Sequence, residues 1–185
     1  GVQGLSDIFN QMLIPYDSEE AQSLNREIFE TLYYFALTKS NELARENGKT
    51  YESYIGSPLS KGMFHFDMYP KGKEYPYKLK YDWNLLRQNI KEHGVYNSLL
   101  IAMMPTASTS QILGNTESFE PLTSNFYLRR TLSGEFYVIN RCLQNLLKGM
   151  NLWTDGMRDK LLFYKGSVQN MEELPYTLRE VFRTV

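Results

Sequence analysis

A single cysteine, Cys142, stands among 185 residues. That scarcity excludes an internal disulfide and a redox pair built from this chain alone, and it fits a reducing compartment, which points to the cytoplasm. Histidine is almost as rare: His65 and His93 lie far apart and show no metal-ligand spacing, so no metal site is expected. An excess of charge is missing as well. Twenty basic residues against 21 acidic ones give a formal net charge of −1, which excludes a nucleic-acid surface built on bulk charge. No apolar run approaches the length that crosses a membrane, and no signal peptide opens the chain. Neither nucleic acid nor membrane is therefore an expected partner. Repeats and low-complexity stretches are lacking too, and no linker divides the chain, so residues 1–185 read as one segment.

What remains is ordinary globular material. Hydrophobic content is 42% and charged content 22%, on a chain long enough to bury a core. The ends are informative. The sequence opens on Gly1 and is already amphipathic at Val2, Leu5, Ile8, Phe9 and Met12. It closes on "LREVFRTV", a helical pattern with no Gly, Asn or Pro stop. Both ends read as cuts through structure, and a segment of a longer protein is expected.

Along the chain, residues 1–13 pattern as a helix that Pro15 ends. Ser18 then caps a long helix through Ala21, Leu24, Ile28, Leu32, Phe35 and Ala36, stopping at Asn47-Gly48. Residues 57–77 are rich in Pro and Gly and read as loop with at most a short ordered piece. Asp82 caps a helix closed by Gly94. "SLLIAMM" (98–104) is apolar on both faces, as a parallel strand covered on both sides would be. "FYLRRTLSGEFYVI" (126–139) fits strand, turn and strand, or a helix. Asn140 and Thr154 open two short helices, the second ending at Gly166, and Pro175 starts the last one. Helix, strand and hydroxyl loop in succession point to an α/β, helix-rich fold.

The feature that asks for an explanation follows the apolar run: Pro105, Thr106, Ala107, Ser108, Thr109 and Ser110 carry hydroxyls and no charge. A helix starting near Ser108 leaves backbone N–H groups unpaired at its first turn, and these favour an anion. Hydroxyls can aim further donors at the same point, and Ala107 keeps the approach open. A phosphate or diphosphate suits such a place. The same residues also fit an ordinary helix cap, and the run has neither the Gly-Lys-Ser/Thr core of a Walker loop nor the glycines of a dinucleotide fold.

The wider stretch "YNSLLIAMMPTASTSQILGNTESFEPLTSNFYLRRTLSGEF" resembles the C-terminal catalytic region of the large subunit of class I ribonucleotide reductase, eukaryotic and viral type, where the pattern reads "PTAST-QILGN-E-FEP-TSN-Y-RR-LSGEF". "GVQGLSDIF", "FETLYYFAL", "SPLSKGMFHFDM", "LWTDGM" and "GSVQNMEELPYTLREVFRTV" match the same family in the same order, so the resemblance covers the whole chain. It implies part of a ten-stranded α/β barrel whose hydroxyl loop binds the diphosphate of a ribonucleoside diphosphate. Carried over, that loop is Thr106, Ala107, Ser108 and Thr109, with Pro105, Ser110 and Glu117 in support. Met103, Tyr96 and His65 depart from the family's usual proline, arginine and glutamine, and none lies in the loop.

The resemblance also implies that the thiyl cysteine, the reducing cysteine pair and their Asn and Glu partners precede Gly1, and that a radical-transfer tyrosine pair follows Val185. No catalytic residue is expected within the segment, and no cofactor bound by it. The complete enzyme implies a small subunit with a metal and tyrosyl radical, a thiol reductant, ATP and dNTP effectors, and a large-subunit homodimer. Other residues read as structural: Cys142 as a small buried or half-buried helix residue, Tyr33-Tyr34 as core and edge, and the histidines as surface or loop. Arg129-Arg130 fits a face with one exposed arginine, and Glu120 with Glu117 a turn beside the loop. A non-catalytic large-subunit homologue acting in partner binding is the alternative, and a free-standing helical interaction module a third reading.

Overall fold

The computed structural model describes residues 1–70 and 75–185, which form two compact units, residues 1–23 with 103–185 and residues 24–102. Residues 71–74 of the expected 57–77 loop lie outside the described residues. In chain order the helices are α1 (Leu5–Met12), α2 (Glu19–Asn47), α3 (Trp83–His93), α4 (Ala107–Leu113), α5 (Arg141–Gly149), α6 (Asp155–Phe163) and α7 (Tyr176–Val181). Strands β1 (Phe126–Thr131) and β2 (Gly134–Ile139) form an antiparallel hairpin, Phe126 opposite Ile139 and Thr131 opposite Gly134.

Local chemistry starts most of these elements. Ser18 Oγ accepts from Ala21 N at 3.1 Å, and Asp82 Oδ1 from Leu85 N at 2.9 Å. Asn140 Oδ1 accepts from Cys142 N and Leu143 N, and Thr154 Oγ1 from Met157 N. Each side chain satisfies a donor that a helix start leaves orphaned. The hairpin settles the open choice at 126–139. Its turn is Leu132-Ser133, where Thr131 Oγ1 accepts from Ser133 N and donates to Gly134 O.

One expected element is not formed. Residues 98–104 make no strand among the described residues, and they are not buried on both faces. Leu99 is 89% exposed and Met104 54%. A parallel strand needs neighbours to pair its backbone and helices to cover it, and no described strand lies beside this run. Residues 57–70 hold two short 3₁₀ helices, Leu59–Lys61 and His65–Met68.

In the unit of residues 24–102 the core gathers Leu37, Phe64, Trp83, Leu86, Ile90 and Val95. Tyr33 and Tyr34 are both half-buried against it, with Tyr34 stacked on Tyr81 at 4.6 Å, so both pack as structural residues. His65 is exposed and His93 half-buried. Asp67 ties the second 3₁₀ helix to α3: its carboxylate takes Arg87 Nη1 at 2.7 Å and Nη2 at 3.2 Å, and caps Phe64 N at 2.7 Å. Burial pushes this carboxyl up, but the Arg87 pair and the Phe64 N–H outweigh it and hold the carboxyl below its ordinary 3.8. A carboxyl lowered in the fold adds stability above its unfolded pKa and loses it as pH falls through the folded value. The α3 amides of the full-length protein should therefore lose hydrogen-exchange protection as the pH falls below the ordinary 3.8 of this carboxyl, beyond the intrinsic rate change. Asp67→Asn should remove that pH dependence and cost about 1 kcal/mol at neutral pH, discounted because the pair keeps contact with water. Equal pH dependence in parent and variant would show that the pair contributes nothing.

In the other unit the core is built by Leu143 and Leu147 of α5, Leu161 of α6, Val168, Met171 and Phe182, each no more than 1% exposed. Each such side chain contributes about 1.5–3 kcal/mol by leaving water. Cys142 is half-buried, with Sγ 3.5 Å from Asn10 O, and burial followed by Asp7 pushes its thiol up, away from the thiolate form that reacts. Arg129 is half-buried, and Arg130 is exposed and paired with Glu135 at 2.7 Å.

Candidate functional site

The hydroxyl run builds one helix start. Thr106 caps α4, and the first intrahelical bond runs from Ser110 N to Thr106 O at 2.8 Å. The N–H groups of Ala107, Ser108 and Thr109 have no protein partner among the described residues. Such groups are the ordinary orphans of a helix start, here on residues that are all exposed. They form a short neutral cradle of donors facing solvent.

The hydroxyls divide into two sets. Ser108 is exposed, and its hydroxyl has no partner among the described residues. Thr109 Oγ1, also exposed, lies 3.0 Å from Gln3 Oε1 and 3.1 Å from Thr106 O, and can donate to either. Thr106 and Ser110 turn inward. Their hydroxyls lie 2.6 Å apart, Ser110 is fully buried, and Thr106 Oγ1 accepts from Ser118 N at 2.8 Å. Thr106 thus spends its side chain on holding the loop to the turn that follows α4. Pro105 is exposed just before the cradle. Glu117 is half-buried, and its carbonyl accepts from Glu120 N at 3.0 Å to close that turn.

Four residues in this arrangement escaped the sequence reading. Asp7 Oδ2 accepts from Thr116 N at 2.6 Å and from Thr116 Oγ1 at 2.8 Å, and Gln3 and Ser118 make the contacts just given. Asp7 lies in the first turn of α1, where an acid is common for local reasons, so its pattern carries no signal of a partner so far along the chain. Among the described residues no group of three His, Cys, Asp or Glu could hold a metal ion, and no helix is long and apolar enough to cross a membrane.

Comparison with known proteins places the chain in a family. Residues 1–185 match the family model described as ribonucleotide reductase, barrel domain. The chain belongs to this family, and is a helix-rich part of its α/β barrel with a small sheet of its own. It is 53% identical over 188 residues to the ribonucleoside-diphosphate reductase large subunit of Arabidopsis thaliana, covering 100% of this chain and 22% of that protein. It is 51% identical over 185 residues to the large chain of Cryptosporidium parvum, again covering 100% and 22%. The solved alpha subunit of the Actinobacillus ureae class Id ribonucleotide reductase superposes with a TM-score of 0.67 at 29% identity, covering 100% of this chain and 26% of that one. The chain thus spans about a fifth of the length of the curated relatives it matches.

Proposed function

We propose that this chain is one segment of the barrel domain of a ribonucleoside-diphosphate reductase large subunit, and that it supplies the loop that holds the substrate's diphosphate. The full protein then reduces ribonucleoside diphosphates to deoxyribonucleoside diphosphates by radical chemistry, in the cytoplasm, as an ATP- and dNTP-regulated homodimer. Its partners are a small subunit and a thiol reductant. The small subunit's metal and tyrosyl radical would supply the radical and the thiol reductant the two electrons of the reduction, and no residue of this segment is assigned to hold the metal or the radical. The observation that carries the reading is the exposed run of free N–H groups at Ala107, Ser108 and Thr109, with the Ser108 hydroxyl beside them.

The role of this segment is binding and orientation. Three backbone donors and two hydroxyls can meet the oxygens of a diphosphate without a cation, and Pro105 and Ala107 leave the approach open. Thr106 and Ser110 take part by holding the loop, with Glu117 in the turn beside it. Phosphate contacts lie away from the reacting ribose carbon and act alike in the ground and transition states, so they set affinity more than turnover.

In the full-length subunit, Ser108→Ala should weaken nucleoside-diphosphate binding by roughly ten- to a hundredfold, the equivalent of about 1.5–3 kcal/mol for a hydrogen bond to a charged oxygen. Thr109→Val should cost less, because the Thr109 hydroxyl must first leave Gln3. Maximal turnover should stay within a few-fold of the parent. Unchanged binding in both variants, with folding intact, would reduce the loop to a helix cap.

A further inference from the structure

The loop is strapped down by the opening residues of the chain. Asp7, half-buried in α1, takes both donors of Thr116 on one oxygen, Oδ2, at 2.6 and 2.8 Å. Gly4 N donates to Thr116 O at 3.0 Å, so Thr116 is held through backbone and side chain at once. Two residues further, Ser118 is 2% exposed with φ 46, a backbone region sparsely populated by residues with a Cβ. Ser118 N donates to Thr106 Oγ1 at 2.8 Å, and Leu5 N approaches Ser118 O at 3.5 Å. Thr106 is the residue directly before the free N–H groups.

We infer that Asp7 is a positioning residue for the diphosphate: through Thr116 and the Ser118–Thr106 bond it fixes the start of α4, and so the direction of the Ala107, Ser108 and Thr109 donors. The inference rests on the diphosphate reading of the loop. Asp7 itself touches no phosphate. A carboxylate oxygen that accepts from an N–H and an O–H of one residue leaves that residue little rotational freedom, and charge-assisted bonds of this kind are the strong ones. Donors that are aimed before the ligand arrives need no reordering when it binds, so affinity for the phosphates depends on the strap.

The test compares cytidine diphosphate with cytidine as ligands of the full-length subunit, because only the first reports on the phosphate loop. Asp7→Ala should weaken cytidine diphosphate binding by roughly tenfold, leave cytidine binding unchanged, and raise KM with kcat near the parent value. Asp7→Asn, which keeps an acceptor, should recover most of the loss. Thr116→Val, a milder change that removes only the hydroxyl, should give part of it. Because Asp7 acts through Thr106, the double variant Asp7→Ala/Thr106→Val should bind no more weakly than the worse single variant. Equal losses for cytidine and its diphosphate would overturn the inference and make Asp7 a support of the fold. If Ser108→Ala weakens diphosphate binding and Asp7→Ala does not, the loop reading stands and the positioning role is wrong. If neither variant has an effect, both fall.

Discussion

Ala107→Leu should lower the affinity of the full-length subunit for a nucleoside diphosphate by roughly a hundredfold, about the loss of one to two hydrogen bonds to charged oxygens, and should leave its folding intact. Ala107 is the first residue of α4 and is exposed, so a larger side chain there can extend into solvent. Its own N–H and those of Ser108 and Thr109 have no protein partner among the described residues. Three added carbons beside them take up the volume an anion would occupy and strip water from any oxygen that still reaches the donors. Ala107→Gly leaves that space open and only loosens the turn, at about 0.5–1 kcal/mol of helix stability. The comparison is made by equilibrium binding, with thermal unfolding as the control. Equal affinities in parent, Leu and Gly variants would remove the diphosphate from this loop.

A second large effect is expected at Gly166, where the change acts on folding. Gly166 has φ +82, and a Cβ there would run into Ser124 Oγ and come within 2.7 Å of Phe126 N and 2.8 Å of Asn125 N. Two of those neighbours are backbone atoms at the start of β1 and cannot swing aside. They are pinned in turn, because Gly166 O accepts from Asn125 N at 3.1 Å and from Asn125 Nδ2 at 3.0 Å. Asn125 is fully buried and also donates to Phe182 O at 2.7 Å, while its Oδ1 accepts from Asn140 Nδ2 at 3.0 Å. Gly166→Ala therefore adds left-handed strain to a backbone clash and opens this buried knot, a loss of about 3 kcal/mol or more. Gly114→Ala is the control: φ is +72 there, but nothing lies within 4 Å, so only strain of about 1–2 kcal/mol remains. Denaturant unfolding followed by a probe in α6 reads both. Similar losses for the two glycines would mean that close packing at Gly166 has no energetic weight.

Much of the local architecture was legible from residue types alone. The caps at Ser18, Asp82, Asn140 and Thr154 each act on a donor two or three residues ahead, so the spacing that announces them is also the contact. The hydroxyl run was legible as a helix start for the same reason. Its apolar prelude was misread. "SLLIAMM" states that these residues suit a buried strand, but a strand is a relation between segments, and no described strand lies beside this one. The run thus shows its apolar side chains to solvent, Leu99 most of all.

Within the candidate site the division falls between side chains that look alike in sequence. Thr106, Ser108, Thr109 and Ser110 are four hydroxyls in five residues, and their order alone determined that a helix begins there with donors to spare. Only the tertiary structure decided that Thr106 and Ser110 turn inward while Ser108 faces solvent, because Thr106 meets Ser118 and Ser110 is buried. The bond from Thr116 to Asp7 spans 109 residues of sequence. A cap is encoded by neighbours along one stretch of backbone, whereas a strap of that span exists only after the core has brought α1 against the turn, and no local pattern carries that information.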